Sequence, residues 1–189
     1  MSASTTVARP RPETLLFGTV AFLASELMFF GALFAAYFTL RGQSAAWPPP
    51  GAKLDVLEPA IATGLLLLSS GTMQIAVRRA RSGDVDGMRR WVLVTLALGA
   101  IFVSSQVRTW LIANFTVSSN AYGTMFYGMT GFHALHVVAG LLLMLVVLGR
   151  AAQGAYRHGA TGSIEAVAYY WHFVDAVWIA LFATIYLVR

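Results

Sequence analysis

The hydrophobic pattern of the chain consists of five long apolar stretches, each separated from the next by a short polar segment. The stretches span residues 15–40, 57–77, 91–114, 125–149 and 164–188. Each is at least as long as the roughly 20 residues that an α-helix needs to cross a bilayer. They are continuously apolar, and they exceed the roughly 10-residue alternating segments of a membrane β-barrel. The pattern predicts an all-α, polytopic membrane protein built as a bundle of five transmembrane helices.

The polar segments divide the chain into a short tail and one membrane domain. Residues 1–14 are polar and predict a cytoplasmic tail, and residues 15–189 predict a single five-helix domain. The first apolar stretch is too long for the apolar region of a cleaved signal peptide. Prolines at 48–50 exclude helix there, because proline lacks an N–H group and restricts its predecessor. Further connections are expected at 81–84, 120–123 and 158–163.

The composition supports a membrane protein and excludes several other classes. Apolar residues make up 58% of the chain and charged residues 11%, whereas a soluble domain carries about 25% charged residues. A soluble globular domain, a disordered chain and a coiled coil are therefore excluded. The net charge of +5 indicates no nucleic-acid partner, because the basic residues form short clusters between apolar stretches. The absence of cysteine excludes disulfides and thiolate metal sites within the chain.

The basic residues also predict an orientation, since cytoplasmic loops of membrane proteins are enriched in Lys and Arg. With five helices, the side of the N-terminus collects Arg9, Arg11, Arg78, Arg79, Arg81, Arg89, Arg90, Arg150 and Arg157. The opposite side has Arg41, Lys53 and Arg189, and Arg108 lies within the third helix. Nine residues against three predict a cytoplasmic N-terminus and an outside C-terminus. Arg108 is expected to extend its side chain towards the outer interface.

Polar side chains at membrane depth are costly, so they are the candidates for function. They are Glu26, His133, His136, Glu165, His172 and Asp175. Glu26 is either a proton-handling group or a neutral acid that bonds a neighbouring helix. His133 or His136 is its expected partner if the first and fourth helices touch. The spacing of His172 and Asp175 predicts that the carboxyl group orients the imidazole.

Two interpretations apply to the histidines. His133, His136, His172 and Asp175 would provide ligands for one metal if the helices brought them together. The favoured interpretation is that each histidine bridges helices by a hydrogen bond, because such polar contacts are common between membrane helices. The sequence therefore predicts no metal ligand, and it contains no recognisable catalytic motif.

The arginines and aromatic residues near the predicted cytoplasmic surface are candidates for contact with lipid. The set comprises Arg78, Arg79, Arg89, Arg90, Tyr169, Trp171 and Trp178. The aromatic residues are typical of an interfacial belt. The arginines are either only the signal that sets the orientation or a site for phospholipid headgroups.

Five sequence motifs, in order and at matching spacing, resemble subunit III of the haem-copper oxidases. They are Ser-Glu-Leu-Met-Phe-Phe at 25–30, Trp-Pro-Pro-Pro-Gly at 47–51, Gly-Asp with Met-Arg-Arg-Trp at 83–91, Thr-Gly-Phe-His-Ala-Leu-His-Val at 130–137 and Tyr-Tyr-Trp-His-Phe-Val-Asp at 169–175 followed by Val-Trp at 177–178. The resemblance covers essentially the whole chain after residue 14. It implies the short bacterial form of the family, which has five helices instead of seven.

The resemblance also implies a role. In this family subunit III holds no haem or copper, which belong to partner subunits, and has no active site of its own. It packs mainly against subunit I, with subunit II and small subunits as further partners. It binds phospholipid and supports proton uptake in a complex that reduces O2 and pumps protons. The expected location is the bacterial plasma membrane, as a multi-pass protein.

One position departs from the family pattern, and several alternatives stay open. Where the family usually has Gln-x-x-Glu-Tyr, this chain has Gln-Val-Arg-Thr-Trp at 106–110, so Thr109 replaces the glutamate.

The motifs favour subunit III of an aa3-type cytochrome c oxidase. Alternatives are subunit III of a bo-type quinol oxidase and a homologue associated with nitric oxide reductase. A small metal or proton transporter is a more remote alternative, which the lack of internal repeats disfavours.

Overall fold

The computed structural model describes residues 12–52, 54–156 and 161–188. They form five helices: α1 Pro12–Gln43, α2 Leu57–Arg81, α3 Val85–Ile112, α4 Ala121–Ala152 and α5 Gly162–Phe182, which continues as a π-helical turn Ala183–Leu187. All five are long and apolar enough to cross a membrane. The described ranges contain no strand. The predicted all-α bundle of five transmembrane helices is therefore confirmed.

Four of the helices close into a ring, and the first lies outside it. In the ring, α2 packs against α3 and α5, and α4 packs against the same two helices. The main contacts of α1 are with α4 and α5. Only 6% of the most apolar stretch of α1 is buried, against 50% for that of α5. The helix α1 is thus the one whose position depends on the fewest contacts within the chain.

Two helix starts differ from the sequence prediction because polar capping turns extend the helices beyond their apolar stretches. Helix α3 begins at Val85 instead of 91, and the Asp84 side chain accepts a hydrogen bond from the Gly87 N–H at 2.8 Å. Helix α4 begins at Ala121, with the Asn120 side chain accepting from the Gly123 N–H at 2.8 Å. Side-chain caps of this kind satisfy backbone donors at a helix start. The segment 120–123 is therefore a cap and first turn rather than a connection.

The remaining boundaries follow the prediction more closely. The turn after α2 is present, and Gly83 adopts a φ of 79°, which favours glycine. Helix α1 begins at Pro12, so the last residues of the predicted tail belong to the helix. Residues 1–11, Lys53, residues 157–160 and Arg189 lie outside the described residues.

The centre of the ring is filled by a tryptophan that fits between two glycines. A Cβ atom at Gly99 of α3 would lie 2.7 Å from the Trp171 ring, and one at Gly140 of α4 would lie 2.8 Å from it. The Trp171 indole N–H donates to Ser69 Oγ of α2 at 2.9 Å. This one side chain on α5 therefore contacts the other three helices of the ring.

Trp178 lies two turns after Trp171 on α5 and is also buried in the ring, where its indole N–H donates to Thr63 Oγ1 at 2.9 Å. Trp171 is 0% exposed and Trp178 is 1% exposed. The prediction that these two belong to an interfacial belt in contact with lipid headgroups is therefore wrong, because the ring buries both. Tyr169, which is 48% exposed, stays at the surface.

Candidate functional site

The closest contact between the predicted polar residues joins α1 to α4. Glu26 Oε2 lies 2.8 Å from His136 Nε2. The other ring nitrogen of His136, Nδ1, lies 2.7 Å from the carbonyl oxygen of Phe132. A carbonyl oxygen accepts and cannot donate, so Nδ1 must carry a proton. It follows that Glu26 and His136 share a second proton between Oε2 and Nε2.

The surroundings of this pair are mainly aromatic. The Phe30 ring lies 5.1 Å from the imidazole of His136 and the Phe29 ring 6.3 Å from it, measured between centroids. The Tyr170 hydroxyl of α5 donates to the His136 carbonyl oxygen at 2.9 Å. The side chain of Glu26 is 19% exposed and that of His136 is 17% exposed. The pair therefore lies at the edge of the bundle rather than at its centre, where it bonds the peripheral helix to the ring.

His133, one turn before His136, has a different environment. It is 0% exposed, and its imidazole packs 4.9 Å from the Trp178 ring and 5.9 Å from the Phe102 ring. Neither ring nitrogen has a hydrogen-bond partner among the described residues. Of the two predicted partners for Glu26, the structure selects His136, and His133 is enclosed by aromatic side chains.

His172 lies between α2 and α5. Its Nδ1 is 2.7 Å from Ser70 Oγ, and its Nε2 is 3.4 Å from Gln74 Oε1. Ser70 and Gln74 are one turn apart on α2, so they meet the two nitrogens of the same ring. Neither Ser70 nor Gln74 is among the residues predicted from the sequence, although their spacing of four places them on one helix face.

Glu165 lies at the N-terminal end of the same contact. It accepts from Arg81 Nε at 2.8 Å and from Thr161 Oγ1 at 3.0 Å. A cavity of about 80 Å³ separates this surface pair from His172. Gln74, Arg81, Glu165, Tyr169 and His172 supply its polar lining.

Asp175 is buried beside this contact, at 3% exposure, and neither carboxyl oxygen has a hydrogen bond to any described residue. The predicted orientation of His172 by Asp175 is wrong. A spacing of three places the two side chains about 60° apart around the helix. The partners of His172 come instead from α2, and Asp175 lies deeper, on the stripe of Trp171 and Trp178.

The candidate ligands for a metal are not brought together. His136 is engaged with Glu26, His133 with aromatic rings, and His172 with Ser70 and Gln74. Within the described ranges, no group of three or more His, Cys, Asp or Glu residues lies close enough to hold a metal ion. The six predicted polar residues therefore form separate local contacts instead of one network.

A large apolar groove runs along the outside of the bundle between α1, α4 and α5. Its volume is about 910 Å³. Polar groups occur at its margin. Arg150 and Ser163 lie where the groove reaches the N-terminal end of the bundle. Tyr170 lies at the level of the Glu26–His136 pair, since its hydroxyl donates to the His136 carbonyl oxygen. A groove of this size and polarity suits an acyl chain whose headgroup lies at the membrane surface.

Charged residues lie at both ends of the bundle. At the N-terminal end, Arg79 pairs with Asp84 at 3.2 Å and Arg89 with Asp86 at 3.5 Å. At the other end, Arg108 Nε lies 3.7 Å from Glu58 Oε1, so its side chain reaches from α3 to the first turn of α2. Beside it Thr109 is buried and its hydroxyl donates to the carbonyl oxygen of Ser105, which leaves no carboxylate at this position.

Comparison with known proteins gives a consistent result. Residues 5–188 match the family described as cytochrome c oxidase subunit III. The chain is 45% identical to the probable cytochrome c oxidase subunit 3 of Mycobacterium leprae, covering 95% of this chain and 90% of that protein. It is 39% identical to the cytochrome c oxidase subunit 3 of Thermostichus vulcanus with the same coverage. For the Synechocystis protein of that name the identity is 40%, covering 93% and 76%.

Proposed function

The chain belongs to the cytochrome c oxidase subunit III family, and from that membership we propose that it is the non-catalytic accessory subunit of an aa3-type cytochrome c oxidase. Membership implies a complex with other oxidase subunits. The observation that carries the proposal is the match over residues 5–188, which includes both partners of the Glu26–His136 contact. O2 reduction takes place in partner subunits, where the haem and copper are held.

We assign the main contact of this chain to subunit I, with subunit II and small subunits as further neighbours. The peripheral position of α1 supports an extended docking surface. Large apolar side chains on α1 such as Phe17, Leu27 and Met28 are 61–76% exposed within the chain. Lipid or a partner subunit must cover such a surface in a membrane complex.

The Glu26–His136 pair is the group that best supports a role in proton uptake. One proton is shared over 2.8 Å between a carboxyl oxygen and an imidazole nitrogen, and such a pair can hold a proton or pass it on. Its partial exposure on the outside of the ring makes it accessible from a neighbouring subunit. The pair therefore tunes proton delivery instead of performing the chemistry.

The test of the proposed function is co-purification in mild detergent, followed by haem spectroscopy of the captured complex. An aa3-type oxidase should yield haem a spectra and a subunit II with a copper-binding domain. A subunit II without that domain would favour the alternative that the chain is subunit III of a bo-type quinol oxidase. A captured nitric oxide reductase would favour the alternative that it is a homologue associated with that enzyme. Capture of no haem protein would contradict the proposal.

A phospholipid should occupy the groove between α1, α4 and α5, with its headgroup near Arg150. The change Arg150→Gln should weaken retention of that lipid about fivefold, since one arginine near an anionic surface contributes about 1 kcal/mol. The measurement is the phospholipid content of the purified complex by mass spectrometry. Arg90→Gln, on α3 and away from the groove, is the matched control. Equal losses in both variants would place the lipid with the arginine cluster instead.

The N-terminus should lie in the cytoplasm and the C-terminus outside. Among the described residues, Arg78, Arg79, Arg81, Arg89, Arg90 and Arg150 lie at the N-terminal end, and Arg41 and Arg108 lie at the other. A C-terminal fusion to an enzyme that folds only outside the cytoplasm should be active, and a fusion in the loop between α2 and α3 should be inactive. The reverse pattern would contradict the orientation.

A further inference from the structure

We propose that the contact between α2 and α5 contains a hydrated proton-exchange path, which connects the buried carboxyl of Asp175 through Ser70 and His172 to the surface at Arg81 and Glu165. It is separate from the Glu26–His136 pair, which lies between α1 and α4.

The outer part of the path is the cavity of about 80 Å³ between α2 and α5. Its polar lining comes from both helices, with Gln74 and Arg81 on one side and Glu165, Tyr169 and His172 on the other. A cavity holds water when it is large enough and offers several polar partners. This cavity meets both conditions, and the Arg81–Glu165 pair marks where it reaches the surface.

The middle part is His172, whose two ring nitrogens face in different directions along the contact. Nε2 lies on the side of Gln74 and the cavity, and Nδ1 lies 2.7 Å from Ser70 Oγ. Since a neutral imidazole has one N–H group and one free lone pair, it can accept a proton at one nitrogen and release one at the other.

The inner end is Asp175, which takes no part in the Glu26–His136 contact. Its carboxyl oxygens have no hydrogen bond among the described residues, although Ser70 lies near enough to interact with the carboxyl group. A charged carboxylate without a partner is very costly in an apolar interior, and an unbonded neutral one is costly too. A neutral carboxyl group that bonds one water molecule beside Ser70 would avoid both of these costs.

These parts give a balanced transfer. The Asp175 carboxyl donates through that water to Ser70 Oγ, the Ser70 hydroxyl donates to His172 Nδ1, and His172 Nε2–H donates to water in the cavity. The forward transfer carries one proton from Asp175 to water in the cavity, and the reverse transfer returns one from that water to Asp175. After both transfers every group has lost one proton and gained one, so the charge of each group is unchanged. Deuterium from bulk solvent would therefore reach Asp175 without unfolding of the bundle.

The test is infrared spectroscopy of the purified oxidase complex in D2O. The carboxylic C=O band of Asp175, identified by its loss in Asp175→Asn, should shift as deuterium replaces the proton. Ser70→Ala and Gln74→Leu should each slow that shift by about tenfold, equivalent to about 1.4 kcal/mol. Two variants are used so that a low yield of folded complex in one of them still leaves the exchange rate of the other to be measured.

The matched control is Thr72→Val, which also removes a hydroxyl from α2, but on the side that bonds Thr95 of α3 at 2.7 Å. Its exchange rate should equal that of the unmodified complex. Three results would overturn the proposal: no C=O band assignable to Asp175, a band that never exchanges, or equal exchange rates in all variants. Because the readout is proton exchange and not turnover, it stays separate from the test of the subunit III assignment.

Discussion

Trp171→Ala should destabilise the five-helix bundle by about 3–5 kcal/mol, the range for removal of a large buried aromatic side chain. Trp171 occupies the slot between Gly99 and Gly140 and donates a hydrogen bond to Ser69, so its loss loosens all four helices of the ring. The measurement is the temperature at which this subunit is lost from the purified complex, followed by gel analysis after heating. A large drop in that temperature is expected.

The matched variant Trp171→Phe keeps an aromatic ring on α5, but it removes the indole N–H group and part of the ring that lies against Gly99 and Gly140. It should lose the one hydrogen bond, about 0.5–1.5 kcal/mol, and part of the packing, so its stability should lie between those of the unmodified protein and the alanine variant. The large effect thus depends on filling the slot, not on the bond. If the alanine and phenylalanine variants were equally stable, the packing of Trp171 between the two glycines would not be what holds the ring together.

Glu26→Ala should have the second largest effect, because it removes the side-chain bond between α1 and α4, although Tyr37 and Arg41 of α1 still donate to the backbone at Thr184 and Val188. An interhelical hydrogen bond in a membrane contributes about 1–2 kcal/mol at most, and His136 Nε2 would also be left without its partner. Helix α1 has fewer contacts with the bundle than the other four helices have, so we expect weaker retention of the subunit in the complex. Adding His136→Ala should cause little further loss, since both changes remove the same interaction.

Glu26→Gln tests whether Glu26 acts through its hydrogen bond to His136 or through the proton that its carboxyl group can carry. The amide keeps the shape and can donate to His136 Nε2, so the complex should assemble and keep most of its O2-reduction activity. Glu58→Gln, at the surface pair with Arg108, is the control for the same chemical change. Turnover of the purified complex is the measurement. If activity collapsed while subunit content stayed normal, the proton itself would be required, and a supporting role for Glu26 would be wrong.

The number of helices and the fold class could be predicted from the sequence because a bilayer leaves few choices. A segment in the hydrocarbon core must satisfy its own backbone hydrogen bonds, so a long apolar stretch becomes a helix. Helix starts were less accurate where polar residues extend a helix. The caps at Asp84 and Asn120 lie outside the apolar stretches that guided the prediction, although residues of this type are common at helix starts.

The candidate polar residues could also be identified from sequence, because charged and imidazole groups are rare at membrane depth. Which of them meet was decided only by the tertiary structure. His133 and His136 are one turn apart and chemically identical, yet only His136 reaches Glu26. The difference comes from the position of α1 beside α4 and α5, which no local pattern specifies.

The sequence by itself determined five membrane helices and the polar residues they carry, since both depend on hydropathy along one segment at a time. The tertiary structure alone decided that Trp171 fills the core instead of an interfacial belt. An exposed and a buried tryptophan look the same within one helix. The burial of Trp171 requires Gly99 and Gly140, which lie on two other helices, to leave space at the same height.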